Sequence, residues 1–62
     1  MVQKKFNAEP EAEFAAESLS VEKGYAAVIL SKGIYFVESE PPLVRNFEKL
    51  ICEYEEGKKI NY

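Results

Sequence analysis

The sequence predicts a small α+β domain: a small antiparallel β-hairpin or three-stranded meander packed against a C-terminal amphipathic helix, with a short N-terminal helix. Two apolar runs flanking a Ser-Lys-Gly turn indicate the hairpin, and a helical spacing of apolar residues near the C-terminus indicates the helix. A length of 62 residues permits one domain. We therefore treat residues 1–62 as a single unit, with residues 1–8 expected to be flexible and residues 58–62 expected to fray or to add an edge strand.

The hairpin is predicted over residues 24–38, where β-branched and aromatic residues dominate on both sides of the turn at residues 31–33. Gly33 can adopt the positive φ that a tight hairpin turn requires. A three-residue loop would pair Leu30 with Ile34. A two-residue loop would instead move Tyr35 and Val37 to the face that carries Val28 and Leu30.

The C-terminal helix is predicted from about Pro42 to Glu56. Proline is tolerated in the first turn of a helix, and Gly57 fits a C-terminal cap followed by two lysines near the negative end of the helix dipole. The apolar positions recur with a period near 3.6 and are Leu43, Val44, Phe47, Leu50, Ile51 and Tyr54.

The N-terminal third has two interpretations. Pro10, with glutamates and alanines after it, favours a short helix over about residues 9–18. The alternation of serine with Leu19 and Val21 instead favours a third strand over residues 17–22, so the pattern leaves helix and strand open across residues 10–22.

Both faces of the predicted sheet are apolar. The strands of an antiparallel sheet with one solvent-exposed face normally alternate apolar and polar residues. The predicted helix covers one face, and the N-terminal segment offers mostly alanine for the other. We therefore expect the second face to bind a protein partner or a second copy of the chain as a homodimer. With the three-residue loop, this candidate partner-binding surface consists of Tyr25, Ala27, Ile29, Tyr35 and Val37.

The composition argues against catalysis and metal binding. The chain has one cysteine and no histidine, and all its acidic residues are glutamates, so it lacks a disulfide pair and the usual zinc ligands. Cys52 has glutamates nearby, which favour the thiol over the reactive thiolate. The three glycines are isolated, so no phosphate-binding loop is present. We expect no enzyme activity, no cofactor and no small-molecule substrate.

A net charge of −3 disfavours direct nucleic-acid binding. No apolar run suggests a secretory signal or a membrane span, and a single cysteine is consistent with a reducing compartment, so we expect a cytoplasmic protein without membrane contact. The leading hypothesis is a small non-enzymatic interaction or regulatory protein that acts through an apolar sheet face. The alternative is a nucleic-acid-related regulator, such as an acidic DNA-mimic inhibitor or an antitoxin-like module.

Overall fold

The computed structural model describes residues 3–40 and 48–60, which form five β-strands and one α-helix. The predicted fold class is therefore wrong in its strand count and in the position of its main helix. The sheet has five strands, and the helix that packs on it is N-terminal. In chain order the elements are β1 (Gln3–Phe6), α1 (Glu9–Lys23), β2 (Tyr25–Ser31), β3 (Ile34–Glu38), β4 (Glu48–Glu55) and β5 (Lys58–Lys59).

All five strands belong to one antiparallel sheet in the spatial order β1-β3-β2-β4-β5. The central strand, β2, pairs with β3 on one side and with β4 on the other. Because β1 and β2 are both antiparallel to β3, they run parallel to each other and need a crossover connection. Helix α1 is this crossover, and it packs on one face of the sheet.

The two hairpins of the sheet use the same kind of turn. In the β2–β3 hairpin Ser31 pairs with Ile34, so the loop has two residues, Lys32 and Gly33, with φ angles of 52° and 80°. The β4–β5 turn repeats this geometry at residues 56 and 57, with φ angles of 51° and 84°. Positive φ at both central positions is the type I′ pattern, whose twist matches that of paired strands.

The predicted C-terminal helix, from about Pro42 to Glu56, is wrong over the part that the structure describes, because Glu48–Glu55 forms β4. Residues 41–47 of that prediction lie outside the described residues. Gly57, expected to cap the helix, lies in the β4–β5 turn instead.

A β-bulge in β4 accounts for the helical spacing of those apolar residues of this segment that the structure describes. Cys52 pairs with Val28, but Leu50 pairs with the next residue of β2, so Ile51 is an extra residue in the strand. The extra residue interrupts the alternation of faces and gives Leu50, Ile51 and Tyr54 the spacing of a helix face.

Helix α1 begins at Glu9 and ends at Lys23, beyond the predicted end near residue 18 and across the segment considered as a strand. The backbone N–H of Gly24 donates to the carbonyl oxygen of Ser20 at 2.8 Å and closes the last turn. The buried stripe of the helix consists of Ala12, Ala16, Leu19 and Ser20, which recur at the three- and four-residue spacing of one helix face. Small side chains on this stripe let the helix axis lie close to the sheet.

The main core lies between α1 and the sheet. Its buried members are Ala12, Ala16, Leu19, Ala26, Val28, Val37, Cys52 and Tyr54. No helix among residues 3–40 and 48–60 has the length and apolar content needed to cross a membrane.

Replacement of Leu19 by alanine should destabilise the fold strongly. Leu19 is 6% exposed, so truncation leaves a cavity in the core and should lower the free energy of unfolding by about 2–5 kcal/mol. Val21→Ala, on the same helix but 69% exposed, is the control and should change it by less than about 0.5 kcal/mol. Urea denaturation followed by circular dichroism measures both, and equal effects would show that Leu19 is not a core residue.

Replacement of each turn glycine, Gly33 or Gly57, by alanine should distinguish the destabilisation caused by backbone strain from that caused by a steric clash. Gly33→Ala meets open space, so it should cost only the strain of positive φ, about 1–3 kcal/mol. Gly57→Ala should cost more, because the new Cβ would lie 2.8 Å from Cγ2 of Val21. The additional loss of stability at Gly57 should become smaller when Val21 is also replaced by alanine. A double-mutant cycle in urea measures this coupling, and additive effects would contradict it.

Candidate functional site

The structure separates the five residues predicted to form one partner-binding surface. Val37 pairs with Val28, and both belong to the core under α1, so Tyr35 and Val37 lie on the helix side of the sheet. Tyr25, Ala27 and Ile29 lie on the opposite side. The two-residue loop is the reason, because it is the register that moves Tyr35 and Val37 beside Val28.

Most of that predicted surface is also buried. Ala27 and Val37 are fully buried and Ile29 is 3% exposed, while Tyr25 and Tyr35 are half-buried. The hydroxyl of Tyr25 donates a hydrogen bond to Oε2 of Glu53. Burial, with this hydrogen bond and the nearby carboxylate, raises the pKa of Tyr25. Tyr25 therefore stays neutral and serves as a hydrogen-bond donor.

An exposed apolar groove lies between β1 and the first half of α1. We call it the β1–α1 groove, and it has a volume of about 490 Å³. Phe14 is 72% exposed at this groove, an unusual position for a large aromatic side chain. The lining residues are Phe6, Pro10, Glu11, Phe14 and Ala15.

Local sequence explains how Phe14 reaches the solvent. The helix buries the stripe that carries Ala12 and Ala16, and Phe14, two residues from each, lies about 160–200° away around the helix. Pro10 fits the first turn of α1 because that turn needs no N–H donor. The sequence pattern suggested only that the N-terminal segment, which contains Phe14, could cover part of the sheet. The available signal was the Ala12, Ala16 and Leu19 spacing, which defines a buried stripe without Phe14.

Strand β1 brings positive charge beside the groove. It contains Lys4 and Lys5, both exposed, and it lies at one edge of the sheet. Nζ of Lys5 lies 5.7 Å from the centroid of the Phe36 ring, a cation–π contact on the side away from α1. Gln3 donates a hydrogen bond to Glu38 at 3.1 Å and ties the start of the strand to β3.

A cluster of polar side chains joins α1 to β4 and β5, on the side of the helix away from β1. Nζ of Lys59 and the hydroxyl of Tyr54 donate to Oε1 of Glu13 at 3.0 and 3.3 Å. The hydrogen bond from Lys59 is the main reason that the pKa of Glu13 is lowered. Cys52 lies close by, and burial, followed by the charge of Glu13, raises the pKa of its thiol to about 11. Cys52 is 3% exposed and protonated at neutral pH, so it is a packing residue and a poor nucleophile.

Among residues 3–40 and 48–60, no three carboxylate or thiol side chains are arranged to hold a metal ion. No protein family, curated protein or solved structure matches this chain. The groove and the charged residues beside it are therefore the features that suggest a function.

The contact between Glu13 and Lys59 should make stability depend on pH. A carboxyl group whose pKa is lower in the folded chain stabilises the fold above its unfolded pKa, and this contribution is lost as the pH falls through the folded pKa. Between about pH 6 and about pH 3, wild-type protein should lose more stability than Glu13→Gln. Urea midpoints at the two pH values measure the difference. Glu17→Gln, an exposed change on the same helix, should behave like wild type, and a Glu13→Gln variant that also does so would contradict the assignment.

Proposed function

We propose that this chain is a small non-enzymatic interaction protein that binds a segment of another protein in the β1–α1 groove. The observation that carries the proposal is the exposure of Phe14 at the mouth of an apolar groove. Large aromatic side chains dominate the energetics of protein interfaces, since they bury much area at a low cost in side-chain entropy.

The shape and lining of the groove suit a protein segment. Among the described residues that line it, Phe6, Pro10, Phe14 and Ala15 are apolar and Glu11 is charged. Its volume, about 490 Å³, is within the range of roughly 300–1,000 Å³ that ligand sites use. Because the groove is open along the protein surface, it can admit one side chain while the rest of the partner's chain continues outside it.

The groove replaces the sheet surface expected from sequence as the place where a partner binds. Burial of Ala27, Ile29 and Val37 leaves little apolar area on that surface, whereas Phe14 presents most of its ring to solvent. A protein partner would bury this ring and gain about 1.5–3 kcal/mol, which corresponds to roughly a tenfold or greater increase in affinity.

Selection from a phage-displayed library of random peptides tests the proposal. Immobilised wild-type protein should enrich peptides that carry an apolar residue, and these peptides should bind Phe14→Ser at least about tenfold more weakly, because the anchor for that residue is lost. Fluorescence anisotropy with synthetic copies of the enriched peptides gives the dissociation constants.

Val21→Ser is the matched control, since Val21 is a 69% exposed apolar residue on the same helix outside the groove lining. It should bind the peptides like wild type. If no peptide is enriched over the bare support, or if Phe14→Ser binds as well as wild type, the groove is not a protein-binding site. Circular dichroism of each variant verifies that α1 and the sheet are intact.

A further inference from the structure

We infer that the partner segment binds as an extended strand added to the free edge of β1, with carboxylate side chains placed against Lys4 and Lys5. This inference rests on the proposed function and specifies the partner's conformation and charge. It joins two features of the same edge: backbone groups available for pairing and a lysine pair beside an apolar groove.

The outer side of β1 is open among the described residues. Among the described strands, β1 is the first in the sheet order and pairs with β3 alone, so half of its backbone N–H and C=O groups point away from the sheet. An extended peptide satisfies such groups by adding one more strand, and side-chain pockets beside the edge then give specificity. The β1–α1 groove is such a pocket, because Phe6 is at once the last residue of β1 and part of the groove wall.

The register of β1 shows which side chains an added strand would meet. Phe6 pairs with Tyr35 and Lys4 pairs with Val37, so Phe6 and Lys4 lie on the helix side of the sheet. Lys5 pairs with Phe36 and lies on the other side. Because successive residues of a strand alternate between faces, a partner residue in the groove has its second neighbour beside Lys4 and its first neighbour beside Lys5. A partner sequence matches this arrangement if it has an apolar residue and, in one direction along the chain, acidic residues at its first and second neighbours.

Glu11 limits where a carboxylate can lie. It lines the helix wall of the groove, and a partner carboxylate placed against it would meet a like charge. The favourable position is therefore the Lys4 end of β1, away from the residue that enters beside Phe6 and Phe14. This makes the charge preference directional along the strand.

A second copy of the chain is a poor occupant of this edge. Antiparallel pairing of β1 with β1 of another copy puts lysine opposite lysine in every register that pairs most of the strand, because Lys4 and Lys5 are its two central residues. Like charges directly opposite each other destabilise a strand pair. The lysines therefore oppose self-association and favour an acidic partner.

The peptides enriched in the library selection test the charge preference first. Among peptides whose binding depends on Phe14, we expect glutamate or aspartate at the first and second neighbours of the apolar residue. Lys4→Glu should bind them at least about tenfold more weakly, since attraction becomes repulsion. Lys58→Glu makes the same charge change on β5, at the opposite edge, and should change affinity less than about twofold.

Methylation of peptide backbone amides tests the strand geometry. Two versions of one enriched peptide are made, each methylated at one of two successive amides. Only one of these amides faces β1, so exactly one version should lose binding. Any other pattern contradicts strand addition. Peptides that depend on Phe14 but lack carboxylates, or that bind Lys4→Glu as well as wild type, would overturn this inference and leave the proposed function standing. The absence of any Phe14-dependent peptide would instead overturn the proposed function.

Discussion

The pairing of β2 on both of its sides is the constraint on which the rest of the structure depends. β2 pairs with β3, to which it is connected by a two-residue turn, and with β4, which comes later in the chain. Ala26 and Val28, on the helix side of this strand, are fully buried. Their small size lets the alanine-lined face of α1 pack closely above β2, and this fixes the crossover that brings β1 to its edge position. A larger residue at these positions would push the helix away from the sheet.

Elements governed by local interactions were predictable from the sequence. The hairpin of β2 and β3 lies where paired apolar runs and Gly33 indicate it, and α1 begins at the predicted start near residue 9. The conformation of β4 depends on pairing with β2, whose paired residues, from Ser31 opposite Glu48 to Tyr25 opposite Glu55, lie far earlier in the chain. Its bulge at Ile51 placed Leu50, Ile51 and Tyr54 at a helical spacing, and this spacing predicted a helix. Pairing with β2, and not the helical spacing of its apolar residues, therefore determines the conformation of β4.

The candidate site was predictable only in part. Two loop lengths were compatible with the turn at residues 31–33, and the shorter one placed Tyr35 and Val37 on the other side of the sheet from Tyr25. The exposure of Phe14 depends on which helix stripe faces the sheet, and alanine-rich stripes carry a weak hydrophobic signal. The groove then arises from β1 packing beside α1, a contact between elements that the sequence did not predict together.

Lysine occupies both edges of the sheet, Lys4 and Lys5 on β1 and Lys58 and Lys59 on β5. Pairing of β1 with β5 of another chain would leave a new free edge at each end, so it would produce an open filament rather than a closed oligomer. Positive charge on both edges opposes the first step of such growth, although the exposed backbone groups would permit it. These lysines thus disfavour growth of the sheet from edge to edge, and neutralisation of their charge, for example by lysine acetylation, would weaken that effect.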